Sequence, residues 1–211
     1  MHGVRGHDKR TGNDAVFIPA FKESLSAEDV AEIALLLMEE TFGDKLFAPI
    51  RSRLAALKLS GTLLLEQIDS ASTETQFRSF FMAQIHRKCG QFAVDLYRDL
   101  KGVSLRESVA ALASSEALSE WMVQDLSRRI CALMVSEDMD GHALCELEKK
   151  ELARKLSKYL TLGPALKLMG NLEHHLHAAH CELLQKRCVI MAGHHAACLR
   201  SLKCFFECKS S

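Results

Sequence analysis

Histidine and cysteine are the residues in this chain whose spacing most invites chemistry. His174, His177 and Cys181 stand at i, i+3 and i+7, one face of a helix, and Cys188 follows a heptad later. Imidazole nitrogens and thiolates so placed could close around zinc across a helical hairpin turning at Gly193. The pairs His194 with Cys198 and Cys204 with Cys208 repeat the i, i+4 step. No CxxC accompanies them and no compact quartet forms. Cysteine is also a common small core residue, so the primary reading is core thiols and surface histidines, with a metal site as its alternative. His86, Cys89 and Asp95 are close in sequence, but on a single helix they spread around the cylinder. The chain has no GxGxxG, no GxxxxGK[ST], no HExxH and no nucleophile elbow. We therefore expect neither an enzyme nor a resident cofactor.

Charge offers a second kind of chemistry, recognition by complementary faces. Glu137, Asp138, Asp140, Glu146 and Glu148 form an acidic run, and Lys149, Lys155, Lys158 and Lys167 make the following stretch basic. The chain as a whole is balanced, with 27 Lys plus Arg against 27 Asp plus Glu. Without a basic surplus, nucleic-acid binding through the overall field is disfavoured, and a chain near zero net charge tends to self-associate. No apolar run approaches the roughly 18–20 residues that span a bilayer. The opening MHGVRGHDKRTGND is polar. These features point to a cytosolic or nuclear protein with no transmembrane segment, whose eight cysteines stay reduced.

The elements that must position these residues are helical. Residues 1–20 are polar and aperiodic, and read as a flexible arm. Ser26-Ala-Glu-Asp is an N-cap signal leading into VAEIALLLMEETF, which Gly43 ends. Leu46, Ile50, Leu54 and Leu57 recur at helical spacing up to Gly61. From Glu74 to Leu100 an apolar face carrying Phe77, Phe81, Cys89 and Phe92 predicts one long helix with Gly90 inside it. One or two short helices are expected over 104–118, and a further set across 117–135, 141–159 and 164–191. No segment alternates at strand period. The expected organisation is a helical bundle over 26–101, a second over 104–185, and a Cys/His-rich terminal helix over 186–211.

One block is more specific. Trp121 is followed by Ile130 and Met134, then Met139-Asp140-Gly141, Leu144 and Leu147, and later Leu162-Gly163-Pro164 with Leu166-Lys167-Leu168. Asp caps a helix and Gly accepts the tight turn before it, while Pro suits a first helical position. This pattern, over about 112–180, resembles the SAM (sterile alpha motif) domain, a compact five-helix bundle. A fainter echo lies about eighty residues upstream. There Ile50, Leu54, Leu59 and Ser60-Gly61 match Ile130, Met134, Met139 and Asp140-Gly141, with FRSFFMAQI standing where ALKLMGNL stands.

The resemblance implies an all-α fold of one or two five-helix bundles with long connecting helices and a C-terminal helix. It also implies a scaffold or adaptor that oligomerises, or recruits another SAM-like domain. An acidic face of Glu137, Asp138, Asp140 and Glu146 would meet a basic face of Lys155, Lys158 and Lys167. Such a head-to-tail contact is heterologous and builds open chains. RNA-binding members of the family use basic residues where their last helix begins; here only Lys167 remains of them. Two alternatives stand beside this reading: a helical subunit of a larger complex, and a zinc- or RNA-binding regulator.

Overall fold

The computed structural model describes residues 24–176, and among these the chain is helical with no strand. Helix α1 (Ala27–Phe42) runs through a π-helical turn (Gly43–Phe47) into α2 (Ala48–Leu57). Then come α3 (Gly61–Ser70), α4 (Glu74–Gln84), α5 (Gly90–Lys101) and the short α6 (Arg106–Ala110). The second part holds α7 (Ser115–Ser136), α8 (Gly141–Glu146), α9 (Lys149–Lys155), a 3₁₀ turn (Leu156–Lys158) and α10 over 162–176. The expected arm at 1–20 and the expected helix at 186–211 lie outside the described residues.

Several helix starts follow directly from side-chain chemistry. Ser26 and Asp29 form a reciprocal capping box on α1, and Thr73 and Ser114 cap α4 and α7. The C-terminal end of α1 is less ordinary. Gly43 does not terminate it; the residue stays right-handed, and the ladder shifts from α to π spacing.

Two backbone hydrogen bonds explain why that shift is useful. Gly61 N–H, just past α2, donates to Leu112 O, just before α7, at 2.9 Å. Gly141 N–H, just past α7, donates to Leu25 O, just before α1, at 2.8 Å. The α1–α2 arm is therefore antiparallel to α7 and tied to it at both ends. Its three segments contribute 16, 5 and 10 residues against 22 in α7. At 1.5 Å per residue that is roughly 45 Å against roughly 33 Å. The longer path must leave a straight line, and the π turn is where its ladder changes.

The core formed around this pair is continuous. Ile33, Phe42, Phe47, Ile50, Leu64, Phe77, Phe81, Phe92, Leu126, Ile130, Met134, Leu156 and Leu168 all belong to one buried cluster. It draws on both the 26–101 and 104–185 segments. Trp121 and Leu133 pack against it only partly buried. Arg129 of α7 adds a polar tie to α5: it binds Asp125 on its own helix and Asp99 across the interface. Burial opposes its charge, but the two carboxylates outweigh that and hold the guanidinium above its ordinary value.

The long helix expected over 74–100 is two helices. The chain turns at Ile85–Cys89, and Gly90 is the first residue of α5 rather than a mid-helix weakness. A Cβ on Gly90 would stand 2.9 Å from Met82 Sδ and 3.0 Å from Arg78 Nε, flexible side chains that would have to shift, so glycine eases the close return of α5 onto α4. Phe81 meets Phe92 edge-on at 5.8 Å across that return. By order along the chain, FRSFFMAQI in α4 thus stands opposite α9. The third helix after the turn is α5, opposite α10, and this replaces the pairing of FRSFFMAQI with ALKLMGNL.

Candidate functional site

The two turns that resembled each other in sequence are built alike. Lys58 and Asp138 are the two non-glycine residues with positive φ among those described, both at 48°. Leu59 N–H donates to Leu54 O and Met139 N–H to Met134 O, each at 3.0 Å. These bonds satisfy the last carbonyls of α2 and α7 through a left-handed residue. Leu59 and Met139 then plug the core. Ser60 Oγ accepts from Leu63 N–H at 3.4 Å, and Asp140 Oδ1 from Ala143 N–H at 2.7 Å.

The residues expected to form the acidic and basic faces lie around the second turn, and the structure engages most of them internally. Asp140 is spent on its cap. Lys155 Nζ donates to the Glu137 carbonyl at 2.8 Å, with the Glu137 carboxylate 3.8 Å away. Lys158 lies 3.7 Å from Asp95 of α5, a carboxylate that also accepts from Tyr159 O–H at 2.7 Å. Lys167 donates to the backbone oxygens of Glu40 and Thr41, at 3.2 and 2.9 Å, where α1 gives way to the π turn. Asn171 joins it by donating to Thr41 Oγ1. The expected basic face is therefore a set of internal ties. Asp138 and Glu146 differ: both are exposed, as is Glu148, and none has a partner among the described residues.

Of the histidine and cysteine set, only His174 is described; His177, Cys181 and Cys188 lie outside the described residues. His174 is exposed and stacks edge-on with His175. Among the described residues no three His, Cys, Asp or Glu side chains are grouped to hold a metal ion. Burial pushes the Cys89 thiol up to about 12 and the Cys131 thiol up to about 11, which leaves both protonated and unreactive at neutral pH.

Sequence reasoning missed a cavity of about 290 Å³ where the π turn, the 85–89 turn and the start of α10 meet. Lys45, Lys88, Lys167 and His86 reach its wall, and Phe42, Leu46 and Leu160 give it an apolar floor. His86 organises one side. Lys88 N–H donates to its Nδ1 at 3.3 Å, and the ring also bonds the Lys45 backbone, joining α4's end to the π turn. Burial, reinforced by the charges of Lys88 and Arg87, holds this imidazole below its usual range despite that backbone bond. Expected to spread around one helix, His86 and Cys89 instead meet at 3.4 Å, because both lie in the turn between α4 and α5. The lysines come from three distant segments, so no local motif announces them. No family model matches the chain, and no curated protein or solved structure is similar to it.

Proposed function

We propose that the chain is a protein-interaction module of SAM type whose acidic turn, Asp138 with Glu146 and Glu148, recruits a basic partner surface. The observation that carries this reading is the contrast in how the charges are used. Lys155, Lys158 and Lys167 hold backbone oxygens and carboxylates of their own chain, while these three carboxylates face solvent unpaired. An unpaired acidic face gains by meeting cations from outside and steers them at long range.

The same contrast favours a different chain as the partner. Head-to-tail self-assembly through Lys167 would require it to leave two backbone oxygens at the π turn. One of those bonds is exposed and the other part-buried, so giving them up costs about 0.5–1.5 kcal/mol each. A second reading, a helical subunit of a larger complex, has its own support. Leu35 and Leu36 are each 44% exposed on α1, and Leu35 lines a groove between α1 and α7 with Met38 and Val123.

Light scattering on the full chain, alone and mixed with a helical peptide bearing lysines along one face, tests the proposal. The expected result is a monomer alone, a complex at low salt that dissolves as salt rises, and no complex with D138K/E146K. Self-assembly abolished by Lys167→Glu would replace the proposal with the self-contact. A chain that binds the peptide equally well with D138K/E146K would overturn it.

A further inference from the structure

The cavity at the π turn differs from the other grooves in sign. Each of the other described grooves carries carboxylates on its wall: Glu173 in one, Glu39 and Glu120 in the second, Glu116 and Glu120 in the third. This one has three lysines and no carboxylate. Asp95, which binds Tyr159 and Lys158, and the exposed Asp44 do not line it.

Two of the three lysines have no structural duty. The ammonium groups of Lys45 and Lys88 have no ion-pair partner among the described residues, whereas Lys167 is fixed in place by two backbone oxygens. A fixed cation flanked by two adaptable ones suits a dianionic oxyanion better than a single carboxylate. The first turn of α10 also opens onto the site. Gly163 is on the wall, and a Cβ there would find nothing within 4 Å, so no side chain screens its N–H; Pro164 beside it offers no N–H, and Ala165 N–H is bonded to Thr161 O. Phe42, Leu160 and Tyr159, all buried, complete the lining with apolar surface. A head of pure charge would leave that apolar floor wet. The volume, about 290 Å³, is at the lower end for organic ligands.

We propose that this cavity binds a small phosphate monoester with a compact apolar body, its phosphoryl oxygens among Lys45, Lys88 and Lys167 and its body on Phe42 and Leu160. Such a ligand would pin the π turn to the start of α10. It would act independently of the acidic turn.

The test is a titration of the isotopically labelled full chain with phenyl phosphate, using phenol and inorganic phosphate as the two half-ligands. The variant is K45Q/K88Q, which removes no described hydrogen bond or ion pair of the fold. Phenyl phosphate should give saturable shifts at His86, Tyr159 and Gly163, raise the melting temperature, and bind more tightly than either half. In K45Q/K88Q the affinity should fall by at least about tenfold while the unliganded melting temperature stays unchanged. The proposal is overturned by the absence of saturable shifts up to about 10 mM, by equal affinity in the double variant, or by phenol binding as well as phenyl phosphate. If instead inorganic phosphate matches phenyl phosphate, the apolar floor plays no part and the monoester assignment fails.

Discussion

The turn through Lys58 and the turn through Asp138 share a backbone and differ in almost everything that backbone displays. Each spends one left-handed residue, one buried apolar plug, one side-chain cap and one glycine N–H that reaches across to the segment leading into the opposite long helix. Around the first, the exposed groups include Leu57, Lys58, Leu63 and one acid, Glu66; around the second, the three acids Asp138, Glu146 and Glu148 are exposed. The shared geometry is what ties α1–α2 to α7, and it is indifferent to surface charge. The charge, being free of that duty, is where the two turns can diverge in function.

The largest expected effect breaks the shared part. A Cβ on Gly61 would stand 1.7 Å from the Val109 carbonyl oxygen, which is backbone and cannot swing aside. Gly61→Ala should cost about 3 kcal/mol, the upper range for overpacking, measured by urea unfolding. A cost below about 1 kcal/mol would mean that the tie to α6 and α7 is loose. Next comes Arg129→Ala, which leaves Asp125 and Asp99 facing each other without their cation. Because Asp99 is 39% exposed, the loss should be about 2 kcal/mol, below that of a fully buried pair. The Arg129 guanidinium also lies over the Phe92 ring, 5.8 Å from its centroid, and chemical denaturation of Arg129→Ala and Arg129→Met separates lost charge from that lost packing.

The caps then compare the turns directly. Ser60→Ala and Asp140→Ala should each cost about 1 kcal/mol, with Asp140 the larger because its bond is 2.7 Å against 3.4 Å. Asp140→Asn keeps the cap and removes the charge, so it should preserve stability. Smaller still, Lys58→Gly and Asp138→Gly relieve a left-handed conformation and should each add about 0.5 kcal/mol. Equal gains would support equal backbones.

The smallest effect belongs to a feature of the first half alone. The His86 imidazole titrates below its unfolded value of 6.5. The folded state therefore resists protonation, and the unfolded state binds more protons as pH falls through that value. The stability contributed by His86 is full above pH 6.5 and declines as pH drops below it. Denaturation midpoints at neutral and mildly acidic pH should show this decline, and His86→Gln should remove it.

Much of this architecture was legible in the sequence because it depends on local chemistry. The capping box at Ser26, the Asp140-Gly141 turn and the Ile130–Met134 stripe are short-range signals, and each forms as read. The turn at Ile85–Cys89 was hidden because Phe77, Phe81, Cys89 and Phe92 keep an apolar face on both sides of it. Only the packing of Gly90 against α4 reveals the break. The internal use of the lysines was not legible either. Lys167 binds backbone oxygens at a π turn 126 and 127 residues away, and a carbonyl leaves no trace in a side-chain pattern. The same holds for the cavity, whose cations meet only once three distant segments are folded together.

The central claim is that the two turns share structure while only the second recruits a cationic partner. The most direct measurement is a titration of the labelled full chain with the lysine-faced helical peptide, following the amides of 57–66 and 137–148 together. Saturable shifts confined to 137–148, weakening with salt and lost in D138K/E146K at unchanged stability, are the predicted result. Shifts of equal size at both turns, or none at 137–148, would contradict it.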